Sequence, residues 1–265
     1  MDREGFINDV EVLCEKAGGV VGLSLIELKS GEKYEHNADW VLTQPASTVK
    51  LGLLNAALYK VQEGLGSLDD ILVCGKDDKT PGSGVLQHLK NGTEMPLSDM
   101  LMLMIIQSDN SATNLVIDYL GFDYINGFFD MCGLPNIRVR RKMFDLEGLK
   151  KGIFNEASPA ALTRLLYDLE KRVYLKEEYA SLAIDILLKQ QIYSIKRYIS
   201  KHCRVASKSG SVDNAEHDCG IIYTPNATII LSVMTMDIPS FTAKDFIGRV
   251  AELAVKYFDP GCVEK

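Results

Sequence analysis

Strand-like patterning is confined to the two ends of this chain, and that confinement limits its fold more than any other feature. Val20 to Glu27, the turn Lys29-Ser30-Gly31-Glu32-Lys33 and Tyr34 read as a hairpin. His202 to Ser209, Cys219 to Tyr223 and Ala227 to Met236 read as three further antiparallel strands, the last two joined by Thr224-Pro225-Asn226. Between them, residues 45–200 carry helical periodicity in Ser47–Glu63, Ser98–Gln107, Ala112–Leu120, Asp123–Met131, Ser158–Lys171 and Glu178–Lys189. Apolar stripes also mark Asp2–Ala17 and Thr242–Tyr257 as helices able to cover a sheet face. The pattern predicts an α+β fold in which both chain ends share one antiparallel five-stranded sheet with flanking helices, beside an all-helical lobe. The expected division is a discontinuous sheet domain, 1–44 with 201–265, and a helical domain, 45–200. The glycine-rich stretch Gly75 to Gly92, containing Pro81-Gly82-Ser83-Gly84, reads as a surface connection around a short helix.

Composition excludes several partners. Asp and Glu number 36 against 29 Lys and Arg, a net charge of −7, so no basic field exists for nucleic acid. The longest apolar run, Met100 to Ile106, is broken at Gln107, and no membrane span is expected. The first residues lack a basic start followed by an apolar run, so the chain as it stands reads as cytoplasmic, or secreted if a leader has been removed. The six cysteines are scattered without a Cys-x-x-Cys pair, which favours free buried thiols and leaves a disulfide or two open. The four histidines have no ligand spacing, and neither a metal nor an organic cofactor is expected. A monomer is expected.

Neither of the common nucleotide-binding glycine fingerprints occurs, nor does a Gly-x-Ser-x-Gly elbow. Ser47-Thr48-Val49-Lys50, Ser108-Asp109-Asn110 and Lys208-Ser209-Gly210 do occur, in that order. A Ser-x-x-Lys match arises about once by chance in a chain this long, and Ser30-Gly31-Glu32-Lys33 is a second one, in a hairpin turn. Only Ser47 opens a helix, where residues three apart share a face and the Lys50 amine can approach the serine hydroxyl. A serine hydroxyl is a weak nucleophile, and a lysine becomes its base when burial or a second cation lowers the amine's proton affinity. Lys208 can supply that second cation, and amide groups at the helix start can stabilise a developing oxyanion.

Each motif has a bland reading. Ser47 is an ordinary helix cap with Lys50 solvated, Ser108-Asp109-Asn110 a helix break and new cap, and Lys208-Ser209-Gly210 a strand running into a turn. His217-Asp218 suggests a Ser-His-Asp arrangement, against which stands the base already placed at Lys50. The bland readings explain the motifs singly but not their order and spacing.

The three motifs, with 61 residues from Ser47 to Ser108 and 100 from Ser108 to Lys208, resemble those of class A β-lactamases and penicillin-binding serine hydrolases. The resemblance runs over essentially the whole chain, including the Ser158-Pro159 helix start and the terminal helix. It implies a β-lactamase/transpeptidase-like fold and an acyl-enzyme on Ser47, with Lys50 as base, Ser108 relaying a proton to the leaving nitrogen and Lys208 holding a substrate carboxylate. It further implies an oxyanion hole from the backbone NH groups of Ser47 and Ser211, and substrate contacts from Asn110, Ser209, Gly210 and Ser211. The chain departs from the family where a Glu-x-x-Leu-Asn segment supplies the glutamate that activates the deacylating water. Aligning Asn155 with the family asparagine puts Lys151 at the glutamate position, and anchoring on Ser158-Pro159 finds no glutamate either. Glu147, Asp145 and Glu156 are the remaining candidates for that base. The implied activity is hydrolysis of β-lactam amides or similar carboxylated amides and esters. The rivals are a penicillin-recognising D-peptidase or esterase with slow deacylation, acting on D-amino-acid-type amides or esters, and a non-catalytic ligand-binding relative.

Overall fold

The computed structural model describes residues 1–262, so the last three residues of the expected 201–265 segment lie outside the described residues. Helix α1 (Arg3–Lys16) starts at Asp2, whose carboxylate accepts from Gly5 N, and buries Phe6, Val10 and Cys14, one turn apart. Strands β1 (Val20–Glu27) and β2 (Lys33–His36) form the expected hairpin. A 3-10 turn at Ala46–Val49 leads into α2 (Lys50–Gln62). A small hairpin, β3 (Ile71–Cys74) and β4 (Thr93–Pro96), precedes α3 (Leu97–Ile106), α4 (Asn110–Leu120) and α5 (Phe122–Met131). After the short α6 (Leu146–Lys150) come α7 (Pro159–Glu170) and α8 (Glu177–Leu188), then β5 (Arg204–Val212), β6 (Ala215–Tyr223), β7 (Thr228–Met236) and α9 (Ser240–Phe258).

The five main strands are antiparallel in the order β2-β1-β7-β6-β5, so the chain termini do share one sheet and β5 is an edge. Side-chain alternation divides the core between its faces. Val21, Leu23, Leu25, Ile229, Leu231 and Val233 pack with α1 and α9. Ile26, Ala206, Cys219, Ile221, Ile230 and Met234 face the helices of the middle chain. At the centre of those helices α2 buries Leu51, Leu53, Leu54, Ala56, Ala57 and Leu58, an apolar surface nearly all round. The hairpin β3–β4 was not anticipated, because each strand is only four residues long and β3 alternates exposed Ile71 and Val73 with buried Leu72 and Cys74. Strand β6 begins at Ala215, four residues before the patterned run, because the polar residues Glu216, His217 and Asp218 are buried in it.

Candidate active site

The site forms where the 3-10 turn, the α3–α4 junction and strand β5 meet. The backbone reverses at Ala46 (φ 48°), and Thr48 locks the turn by donating its amide and hydroxyl to Pro45 O at 3.2 and 2.6 Å. Ser47 is left half-buried at the start of a turn whose third residue onward is Lys50, fully buried. The Lys50 Nζ donates to Ser108 O (2.7 Å), Ser108 Oγ (3.1 Å) and Asn110 Oδ1 (3.0 Å). These three partners use every donor of an ammonium, and loss of one proton turns the amine into an acceptor facing the Ser108 hydroxyl.

Ser108 holds its place with φ 52°, a left-handed conformation costly for a non-glycine residue. Asp109 fixes it from behind. Its carboxylate caps α4 at Ala112 N (3.0 Å) and accepts from Val85 N and Leu86 N at 2.7 Å each. Asn110 donates its backbone amide to Ser83 O and its side-chain amide to Pro81 O, both at 3.0 Å. The Pro81–Gly84 segment is thus the exposed connection before the short 3-10 helix Leu86–His88, as expected, and its carbonyls also hold Asn110. Glycine is required at 84, with φ 109°, because a Cβ would stand 2.3 Å from the Asp109 carboxyl.

On the facing strand Lys208 is fully buried and donates to Ser209 O at 2.7 Å. Gly210 lies against the turn so closely that a Cβ would meet Ser47 N at 3.0 Å and Thr48 N at 3.1 Å. This close approach sets the edge strand over the Ser47 amide, an arrangement able to aim two amides at one oxyanion. The Ser209 hydroxyl donates to Ile192 O at 2.7 Å. The hydroxyl of Ser211 differs from expectation. It donates to Glu216 Oε1 at 2.9 Å, a carboxylate that also meets Lys244 of α9, so it is committed across the strand pair instead of to a substrate carboxylate. Only the backbone of Ser211 is left for the site.

Electrostatics follow from burying two lysines together. Burial, then the neighbouring Lys208 charge, holds the Lys50 ammonium well below its ordinary range, with Asp109 opposing. Burial brings Lys208 down to about 7, against the pull of Asp218 and Cys219. Asp218, fully buried, is raised by burial to about 6 while accepting from Ser194 N and Ile195 N at 2.6 and 2.9 Å. Since the folded pKa of Lys208 lies below its unfolded value, the unfolded chain binds more protons between them, and this group's contribution to stability rises with pH from about 7 to 10.5. At neutral pH burying Lys208 thus costs stability.

The three candidate deacylation bases are engaged elsewhere. Glu147 is exposed and paired with Lys150 at 2.8 Å, Asp145 caps α6 by accepting from Gly148 N at 2.8 Å, and Glu156 pairs with Arg140 at 2.7 Å. None of them is hydrogen-bonded to Ser47, Lys50, Ser108 or Lys208. Lys151 is exposed at the end of α6. Asn155 instead clasps the loop neck, accepting from Arg140 N (2.8 Å) and Arg141 N (3.0 Å) and donating to Arg141 O (3.0 Å). The loop residue brought beside the site is Met143. Asn114, one turn after Asn110 on α4, accepts from Met143 N at 2.7 Å and donates to Met143 O at 3.1 Å. Phe144 then covers Gly82, where a Cβ would meet its ring at 2.7 Å. An open cavity of about 500 Å³ is lined there by Thr80, Pro81, Asn114, Arg141, Met143 and Phe144 among others.

His217 is structural. Its Nδ1 accepts from Thr235 N at 3.1 Å, which leaves Nε2 to donate to Gln44 O at 2.9 Å, and burial lowers its pKa. Among the described residues no group of three or more metal-ligating side chains occurs, and no helix is long and apolar enough to cross a membrane.

The model of the Beta-lactamase enzyme family matches residues 4–258. A beta-lactamase of Rhodobacter capsulatus is 33% identical over 165 residues, 62% of this chain and 56% of that protein. The chain thus matches just over half the length of this relative. A beta-lactamase of Proteus vulgaris is 26% identical over 249 residues, 91% of each. The beta-lactamase structure from Sphaerobacter thermophilus superposes with a TM-score of 0.88 at 33% identity, covering 97% of both chains. The structure of PBP-A gives a TM-score of 0.88 at 25% identity over 96% of both.

Proposed function

The chain belongs to the beta-lactamase enzyme family, and we propose that it is a class A β-lactamase-like serine hydrolase that works by acylating Ser47 with β-lactams or similar carboxylated amides and esters. The observation carrying this reading is the buried Lys50 amine, one turn from Ser47 and bonded to Ser108 Oγ at 3.1 Å. In the neutral form Lys50 takes the Ser47 proton as the hydroxyl oxygen attacks the acyl carbon. The oxyanion is held by the amides of Ser47 and Ser211, and the proton passes through Ser108 to the departing nitrogen. Lys208 as a cation holds the substrate carboxylate, the Ser209 hydroxyl joining it only by leaving Ile192 O, and Asn110 presents its amide to the acyl side chain. The site draws on 45–200 for Ser47, Lys50, Ser108 and Asn110 and on 1–44 with 201–265 for the sheet, and one monomer supplies every group.

Roles for two lysines of opposite charge state give a pH prediction. Acylation needs Lys50 neutral and Lys208 charged, so kcat/KM rises as Lys50 loses its proton and falls as Lys208 loses its own near pH 7. Lys208→Arg keeps the charge, and its pH–kcat/KM profile with a penicillin should lose the alkaline fall. An identical alkaline limb in both proteins would remove Lys208 from the carboxylate role.

A second reading, a penicillin-recognising D-peptidase or esterase, is favoured by Met143. This loop residue, clamped to Asn114 one turn after Asn110, has no group able to activate water, so the β-lactam acyl-enzyme clears slowly. Met143→Glu places a carboxylate there and should shorten the adduct's lifetime by about 10²–10⁴-fold, the contribution typical of a positioned base. Lys151→Glu, on the exposed end of α6, should leave it unchanged. Intact-mass decay of the benzylpenicillin adduct in the three proteins checks this. Faster clearance by Lys151→Glu alone would reverse the assignment. Persistent adduct in the unmodified protein marks the peptidase or esterase, and rapid accumulation of hydrolysed drug marks a working β-lactamase.

A further inference from the structure

Strand β5 carries Lys208, Ser209, Gly210 and the Ser211 amide, yet it is an edge strand, held by β6 on one side only. The residue before it, Cys203, is 1% exposed, and its sulfur lies 2.8 Å from that of Cys262, which is 7% exposed in the terminal 3-10 turn Pro260–Cys262. A covalent S–S bond measures about 2.04 Å, so these sulfurs stand within about 0.8 Å of bonding. The other four cysteines, Cys14, Cys74, Cys132 and Cys219, are buried thiols, and none is hydrogen-bonded to another cysteine among the described residues.

Both sulfurs are presented by fixed backbone. Cys203 N donates to Ser200 O and Cys262 N to Asp259 O, each at 2.9 Å. Asp259 in turn accepts from Asn226 Nδ2 and N at 3.0 and 3.1 Å, which ties the C-terminal turn to the β6–β7 connection. The two cysteines, 59 residues apart in sequence, are thus held with their sulfurs 2.8 Å apart by two hydrogen-bonded turns.

We propose that Cys203 and Cys262 are a dithiol–disulfide pair that closes under oxidising conditions and staples the start of the catalytic edge strand to the C-terminal turn. The oxidant is a small disulfide such as oxidised glutathione. The Cys262 thiolate, the more exposed of the two, attacks one sulfur of the reagent and releases one thiolate. Cys203, deprotonated, then attacks the Cys262 sulfur of the mixed disulfide and releases the second. Two protein thiols lose two electrons, the reagent gains them as two thiols, and the two protons end on the released thiolates. Burial, its bond to Cys262 and the charge of Asp259 push the Cys203 thiol up to about 12, so its thiolate is scarce and closure is slow. Closing so long a loop restricts the unfolded chain and raises the unfolding temperature.

The test uses the full chain equilibrated in oxidised or reduced glutathione, alkylated after denaturation, and read by intact mass and peptide mapping. The oxidised protein should lose two hydrogens, take up two fewer alkyl groups, yield a linked Cys203–Cys262 peptide and melt several degrees higher than the reduced one. Cys203→Ser and Cys262→Ser should each abolish the redox-dependent melting shift. Six alkylated cysteines after oxidation, a glutathione adduct that never resolves, or linkage through another cysteine would overturn the proposal. None of these readouts depends on hydrolase activity.

Discussion

Lys50→Ala should slow acylation of Ser47 by a penicillin by about 10²–10⁴-fold, the loss that accompanies removal of a positioned general base. The reason lies in burial. A solvated lysine at neutral pH is an ammonium and cannot accept a proton, whereas the fully buried Lys50 is held well below its ordinary range by desolvation and then by Lys208. Alanine also leaves Ser108 O, Ser108 Oγ and Asn110 Oδ1 without their common donor, so Ser108 loses its proton partner as well. The change should therefore appear in the acylation rate constant of a stopped-flow or quench experiment, with substrate binding less affected because Lys208 is untouched. An acylation rate equal to that of the unmodified protein would end the assignment of Lys50 as sole base.

Ser47→Ala should abolish the covalent adduct altogether, since no other hydroxyl is placed to replace it. Ser108 is bonded to Lys50 and held in a left-handed conformation, and the Ser211 hydroxyl is turned to Glu216. Removing the Ser47 hydroxyl leaves the oxyanion amides, Lys208 and Asn110 in place, so the variant should still bind a penicillin reversibly. Titration calorimetry or ligand-induced thermal stabilisation checks retained binding, and intact mass checks loss of the adduct. A surviving adduct in Ser47→Ala would place the nucleophile elsewhere.

The parts of the site that sequence makes visible are those built from local patterns. Ser47 and Lys50 are three apart at a helix start, and Lys208 and Gly210 lie on a patterned strand, so residue type and spacing carry the chemistry. Gly210 has a spatial reason, the 3.0 Å approach to Ser47 N, that happens to coincide with a motif position. The parts that stayed hidden are assembled across the chain. Pro81 and Ser83 enter the site through their carbonyls, which bear no trace of side-chain identity, although the spacing of Gly82 and Gly84 was a signal of a backbone held at positive φ. Met143 is brought in by Asn114, 29 residues away, through hydrogen bonds to its backbone. No local pattern distinguishes it from Lys151, because register counted along an irregular loop does not say which residue α4 holds. Asn155 shows why, since its side chain closes the neck at Arg140 and Arg141 instead of lining the site. In the fold, the helices and long strands were legible from periodicity, whereas the polar start of β6 was not, because Glu216, His217 and Asp218 are buried through tertiary partners.

The most direct test of the acyl-enzyme account is a time course of the unmodified protein with benzylpenicillin, quenched in acid, digested and mapped by mass. The account predicts a penicilloyl group that forms with time on the peptide containing Ser47 and on no other. An unmodified Ser47 peptide at every time point, or an adduct on a different residue, would contradict it.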